Sequence, residues 1–214
     1  MSSGIGKRRE SARGEGTAAY QERRTEIVAA AGQLFKDNGY AGTSLADVAE
    51  ALSMDRASLY YYIGGKQELF QDVVGGAVER NALSAEEIVS GPGTAPEKLR
   101  RLVVELMVSY AESYPFLYVY IQEHLGAVSP DRSAWAQRMR GYNKRYENAV
   151  VAVVAAGVDE GTFAVGTQPW VVAYGIIGMV AWSNRWYRPG DTAIPAREIG
   201  EAYADTLLTG LQVR

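Results

Sequence analysis

Apolar residues recur at helical spacing along nearly the whole chain, and runs that alternate apolar with polar positions are almost absent. In "RRTEIVAAAGQLFKDNGY", Ile27, Ala31, Leu34 and Phe35 fall at i, i+4, i+7 and i+8, one stripe of an amphipathic helix that ends near Asn38 and Gly39. After "AGTS", Leu45, Val48, Ala49 and Leu52 repeat the pattern over two turns, with Thr43 or Ser44 placed to cap the helix. Ser53, Met54 and Asp55 then separate it from "RASLYYYI". The pattern predicts two short helices joined by a tight turn, behind a longer first helix.

Beyond Lys66 the predicted helices lengthen. "KQELFQDVVGGAVERNALSAEEIV" reads as a helix interrupted at Gly75 and Gly76 and ended by Gly91, Pro92 and Gly93. Thr94 and Glu97 have capping-box spacing before "KLRRLVVELMVSYAESY", Pro115 breaks that run, and Gly126 closes the next. Ser129 and Pro130 are expected to start a helix with Trp135, Met139, Tyr142, Tyr146, Val150 and Val153 on one face. "GVDEGTFAVGT" reads as a loop, Pro169 opens a helix to about Tyr187, and Pro195 opens the last, to about Leu211. The expectation is an all-α fold of about nine helices. Residues 1–20 form a flexible basic arm, 21–66 a helix-turn-helix domain and 67–214 a larger helical domain.

The third helix carries the most specific pattern, "DRASLYYYIGGK". At 100° per residue Leu59 and Ile63 point inward within about 40° of each other, Tyr60 and Tyr62 flank them at roughly 80°, and Tyr61 points almost straight out beside Ala57 and Ser58. Such a helix suits a DNA major groove: small outward residues permit close approach, Tyr61 reaches base edges, and the flanking hydroxyls donate to phosphates. Lys66 stands at the start of the next helix, where free backbone N–H groups also favour a phosphate.

Charge sharpens this division. The net charge is -3, but residues 1–66 hold 9 Lys+Arg against 8 Asp+Glu, whereas residues 67–214 hold 13 against 17. The N-terminal part is therefore the one expected to meet a polyanion. The chain has no cysteine and a single histidine, His124, so disulfides, thiolate metal sites and multi-histidine metal chemistry are excluded. No metal or other cofactor is expected. No apolar run follows the basic start, and "PWVVAYGIIGMVAW" is shorter than the roughly 20 residues that a spanning helix needs, so the chain reads as cytoplasmic, without a membrane partner. No G-x-S-x-G elbow or G-x-x-x-x-G-K loop is present, and no catalytic residues are assigned.

Residues 23–74, from "RRTEIVAAAGQLF" to "GGKQELFQDVV", closely resemble the DNA-binding domain of the tetracycline-repressor (TetR) family of bacterial regulators, including the turn "GYAGTS" and the junction "LYYYIGGKQEL". The resemblance implies a homodimer on palindromic operator DNA, most often a repressor. It also implies roles for single residues: Ser44 contacts phosphate, Arg56, Ala57, Ser58 and Tyr61 approach bases, and Tyr60, Tyr62 and Lys66 grip the backbone. Three positions depart from the usual pattern. Ser53 replaces a common turn glycine, Ile63 a common phenylalanine, and Ala46 has no side chain able to read a base.

Family members pair through their last two long helices. In this chain Trp170, Tyr174, Gly178, Trp182 and Trp186 recur every four residues, and Ile199, Ala202, Tyr203, Thr206 and Gly210 mark a similar stripe on the last helix. Trp170, Tyr174, Gly178, Ile199, Tyr203 and Thr206 are the expected dimer contacts; ordinary core is the alternative for the same stripe. The dimer would set its two recognition helices about one DNA turn, ~34 Å, apart. All four tryptophans follow residue 100, as does the aromatic cluster "SYPFLYVYI", so an apolar effector cavity is expected among the middle helices. Aromatic residues at such spacing also serve as plain core, and His124 beside Glu123 is open in the same way. The segment "NRWYRPGDTAIPAREIG" resembles the C-terminal end of a TetR subgroup, some of whose members sense coenzyme A thioesters. That resemblance implies an acyl-CoA or other lipid-derived effector, with Tyr118 and Trp182 near its apolar part and Arg185 near its charge. Arg185 and Arg188 could equally complement a helix dipole. An efflux-type regulator that senses flat aromatic drugs and a ligand-blind DNA-binding protein are the competing readings.

Overall fold

The computed structural model describes residues 18–121 and 133–211, apart from the side chains of Tyr118 and Val119. His124, Glu123, Gly126, Ser129, Pro130 and most of the N-terminal arm lie outside these residues. The regular elements among the described residues are all helices, with no strand: α1 Ala18–Gly42, α2 Leu45–Ala51, α3 Arg56–Tyr62, α4 Lys66–Ser90, α5 Ala95–Glu112, α6 Phe116–Tyr120, α7 Ala134–Asp159, α8 Pro169–Trp182 and α9 Ala196–Leu211. The chain divides into two compact units between Gly76 and Ala77.

In the first unit the stripe on α1 buries Ile27, Ala31 and Phe35, which share a core with Val48, Ala49, Leu59, Ile63 and Leu69. Gly39 sits at φ 75°, so the regular part of α1 stops there. The buried Thr43 hydroxyl donates to two carbonyls near that end, Leu34 O and Gly39 O, both at 3.0 Å, and fixes the bend. A capping box starts α2: Asp47 N–H donates to Ser44 Oγ at 3.2 Å and Ser44 N–H to the Asp47 carboxylate at 2.7 Å.

The turn between α2 and α3 is a left-handed helix cap. Ser53 N–H donates to Glu50 O at 3.0 Å and Met54 N–H to Ala49 O at 2.9 Å, which satisfies the last carbonyls of α2. That geometry holds Ser53 at φ 51°. The same cap ends α7, where Gly161 at φ 72° donates to Val158 O and Thr162 N–H donates to Gly157 O. One cap uses glycine; the other tolerates a serine.

In the second unit α5 packs against α9 and α7, and α8 packs against α7. Gly200 lets α9 approach the α5 backbone closely, because a Cβ there would lie 2.9 Å from the Val104 Cα. Helix α4 runs unbroken through Gly75 and Gly76, contrary to the interruption expected from the two glycines. Gly75 is buried, and tertiary packing outweighs the roughly 1 kcal/mol that a glycine costs in a helix. Helix α8 ends at Trp182 rather than near Tyr187 and tightens into a 3-10 turn over Ser183–Arg185. The carbonyl of buried Ser183 takes both Trp186 N–H at 3.1 Å and Tyr187 N–H at 2.8 Å, which turns the chain away from the helix axis.

Candidate functional site

Helix α3 is only seven residues long and is held from below. Leu59 and Ile63 are fully buried, each contributing about 1.5–3 kcal/mol of apolar burial, and this fixes which face stays outside. The exposed face carries Arg56, Ala57, Ser58, Tyr60 and Tyr61. Asp55 caps the helix: its carboxylate accepts Ser58 N–H at 2.9 Å and the Ser58 hydroxyl at 2.6 Å. These two bonds hold the Asp55 carboxyl below the usual carboxylate range. They also commit the Ser58 proton, leaving its oxygen to act outward as an acceptor.

The tyrosines differ from the simple helical wheel. Tyr60 and Tyr61 are 42% and 39% exposed, so neither is wholly free, and Tyr62 is half-buried. Tyr20, at the start of α1 and 6% exposed, stacks on Tyr62 at 5.0 Å and meets Tyr61 edge-on at 5.7 Å, while Tyr61 and Tyr62 touch edge-on at 5.1 Å. Tyr61 leans onto this aromatic ledge, where its ring gains edge-on contact with both neighbours. Sequence reasoning missed Tyr20, which falls in the segment read as a flexible arm.

Around α3 the remaining polar groups converge. Lys66 begins α4, with its ammonium 4.4 Å above the Tyr40 ring and 3.4 Å from Ala41 O. Tyr40 is itself backed by Phe35 and Phe70. The hydrogen bonds from Ser44, with the positive charges of Arg56 and Lys66 nearby, hold the Asp47 carboxyl below its ordinary range. Ser44, Arg56 and Lys66 thus border one carboxylate at the start of α2. In the same unit Arg24 pairs with Asp72 and, at 3.8 Å, with Glu68, which also accepts Gly64 N–H at 2.9 Å.

The second unit holds a cavity of about 110 Å³ lined mainly by Val78, Leu106, Leu117, Ile121, Ile177 and Ala181, with Asn81, Asn143, Glu147 and the rings of Tyr110, Tyr120 and Tyr146. Tyr146 is pinned by donating to Leu102 O at 3.0 Å, and Tyr120 accepts from Asn143 at 2.9 Å; burial pushes both phenols up. Glu147 accepts the Tyr174 hydroxyl at 2.6 Å and Lys144 at 3.3 Å. Trp182 and Arg185 are not part of this lining. Trp182 is 61% exposed, and the Arg185 guanidinium lies 5.1 Å over its ring. Asn81 and Asn143 carried no signal in the sequence, because polar residues amid a polar pattern look like solvent face.

The outer side of α8 is apolar and uncovered among the described residues. Trp170, Tyr174 and Trp182 are exposed, as is Trp186 just beyond, and a Cβ at Gly178 would meet nothing within 4 Å. On α9 Thr206 is exposed and Tyr203 half-buried, whereas Ile199 is 6% exposed and sits in the core of its own chain.

Comparison with known proteins agrees with this architecture. Residues 27–73 match the family described as bacterial regulatory proteins, tetR family, and residues 92–211 match the tetracyclin repressor-like C-terminal domain. The chain belongs to the TetR family of bacterial regulatory proteins. The HTH-type transcriptional repressor KstR2 of Mycobacterium tuberculosis H37Rv is 25% identical over 190 residues, covering 88% of this chain and 92% of that one. A crystal structure of a TetR/AcrR-family regulator from Thermobifida fusca matches with 27% identity and a TM-score of 0.73, covering 88% of this chain and 98% of the other. AibR, solved in complex with isovaleryl coenzyme A and operator DNA, shares the fold at 21% identity and a TM-score of 0.66, over 87% of this chain and 98% of its own. No described helix is long and apolar enough to cross a membrane.

Proposed function

We propose that the protein is a cytoplasmic homodimeric repressor that binds palindromic operator DNA through α3 and releases it when a small lipid-derived molecule occupies the second unit. One observation carries the DNA reading: Leu59 and Ile63 are buried while Arg56, Ala57, Ser58, Tyr60 and Tyr61 share the open face of a capped, braced helix. Arg56 and Tyr61 read bases there with Ala57 and Ser58, and Ser44, Tyr60, Tyr62 and Lys66 hold phosphates. The relatives named KstR2 are transcriptional repressors, which supports repression. Pairing through the outer faces of α8 and α9, at Trp170, Tyr174, Gly178, Tyr203 and Thr206, would cover the exposed aromatic surface. Ile199 supports that contact from inside its own chain.

The effector reading rests on the apolar cavity and on a fold that holds a coenzyme A thioester in AibR. Release requires a ligand that prefers a conformation in which the recognition helices no longer match the half-site spacing; a 100-fold preference supplies about 2.7 kcal/mol. The continuous helix α4, which starts at Lys66 and contributes Val78 and Asn81 to the cavity, is the proposed transmitter. DNA fragments selected by the purified protein should converge on one palindrome, and acyl-CoA thioesters should displace it from that palindrome. Failure of selection to converge refutes the DNA reading. Release by flat aromatic drugs alone favours an efflux-type regulator, and release by neither class favours a ligand-blind protein.

A further inference from the structure

Beside the apolar cavity lies a second, polar groove of about 250 Å³. The two share Asn81, Leu106 and Tyr146 as a common wall, so the groove and the cavity adjoin there. The Tyr146 hydroxyl is tied to Leu102 O at 3.0 Å, which fixes one side of this junction. Asn81 makes no side-chain hydrogen bond among the described residues and so has an amide free at the junction. In the groove Ser84 stands one helical turn beyond Arg80, and Ser109 contributes a second hydroxyl. Arg197 there is loosely paired with Glu105 at 3.4 Å, whereas Arg80 has no carboxylate within ion-pair range among the described residues. A guanidinium with two hydroxyls and an amide is a donor set that suits a phosphate. Glu112, also in the groove, disfavours a bare multivalent anion and suits a head group with its own hydroxyl or amide donors.

We infer that the groove is the head-group site of an amphiphilic effector: an acyl ester, thioester or amide whose chain enters the cavity, whose carbonyl meets Asn81 and whose phosphate-bearing head meets Arg80. The inference rests on the effector reading above but moves the charge-binding residue from Arg185 to Arg80. The test is calorimetric titration of the full-length protein, without DNA, using octyl phosphate and octanol. Octyl phosphate should bind roughly tenfold tighter than octanol. Arg80→Ala should abolish that difference while leaving octanol affinity unchanged, and Arg80→Lys should restore part of it. Equal binding of the two probes to the unaltered protein, or an equal loss of both in Arg80→Ala, overturns the inference. Leu106→Trp, which fills the shared wall, should block both probes; if circular dichroism shows that it misfolds, the Arg80 pair decides alone. Operator occupancy is measured separately. If octyl phosphate binds in this Arg80-dependent way without displacing DNA, the head-group site stands and the effector-release reading fails.

Discussion

Replacing Ser53 with glycine should strengthen the helix-turn-helix. Ser53 is held at φ 51° by the two hydrogen bonds of the cap that ends α2. A left-handed conformation costs a residue with a Cβ roughly 1–2 kcal/mol, and glycine removes that cost. Against this, glycine loses about 0.5–1 kcal/mol more backbone entropy on folding. The net gain is about 0.5–1 kcal/mol, a factor of roughly two to five in the local opening equilibrium. Native-state hydrogen exchange should read it at Met54 and Leu59, whose N–H groups are bonded to Ala49 O and Asp55 O. Ser53→Gly should slow their exchange, Ser53→Ala should leave it nearly unchanged, and Ser53→Val should speed it. The matching cap offers the converse: Gly161→Ser, at φ 72°, should destabilise the end of α7 by a similar amount. Exchange at Met54 that is unchanged or faster in Ser53→Gly, with Ser53→Val as protected as the natural residue, would refute the strain argument.

Three further outcomes are expected. Lys66→Ala should weaken binding to all DNA sequences alike and lower the salt slope by about one unit, while Arg56→Ala should relax preference at one base position per half-site at about 1–3 kcal/mol; competition assays at several salt concentrations separate the two. Gly178→Glu should yield monomers or insoluble chains, because it would place an unpaired carboxylate within the proposed apolar contact; a well-folded dimer in sedimentation would put the interface elsewhere. Asp47 and Asp55 both have carboxyls lowered from the ordinary value of 3.8 by their capping hydrogen bonds. A depressed carboxylate stabilises the folded state above its unfolded pKa and ceases to do so as pH falls through the lower folded value. Acid unfolding of the helix-turn-helix should therefore set in below about pH 3.8 and lose part of its pH dependence in Asp47→Asn and Asp55→Asn.

Much of the fold could be read from the spacing of apolar residues, because Ile27, Ala31 and Phe35 or Leu59 and Ile63 each define a buried face by local geometry alone. What stayed hidden depends on partners distant in sequence. Tyr20 is some 40 positions from the rings that it supports, and its polar surroundings gave no periodic signal. The end of α8 was set by the carbonyl of buried Ser183, not by a proline or glycine that could have been read in advance. Gly75 and Gly76 looked like a break because propensity is local, whereas their place inside α4 is a matter of packing. The cavity divides the same way: its aliphatic lining lies in segments read as helices, but Asn81, Asn143 and Glu147 are recognisable only once helices α4 and α7 are brought together.

The aromatic ledge under α3 bears on the thermodynamics of recognition. A free surface tyrosine samples several rotamers and must give most of them up when it is clamped against a nucleic acid. Here Tyr20 restricts Tyr61 and Tyr62 while the chain folds, so that part of the ordering is complete before any DNA arrives. The association should show a smaller entropic penalty than three unbraced phenols would give. Tyr20→Ala would return that disorder to the free protein, so on the proposed docking a side chain that is almost wholly buried in α1 would set part of the entropy with which α3 meets its target.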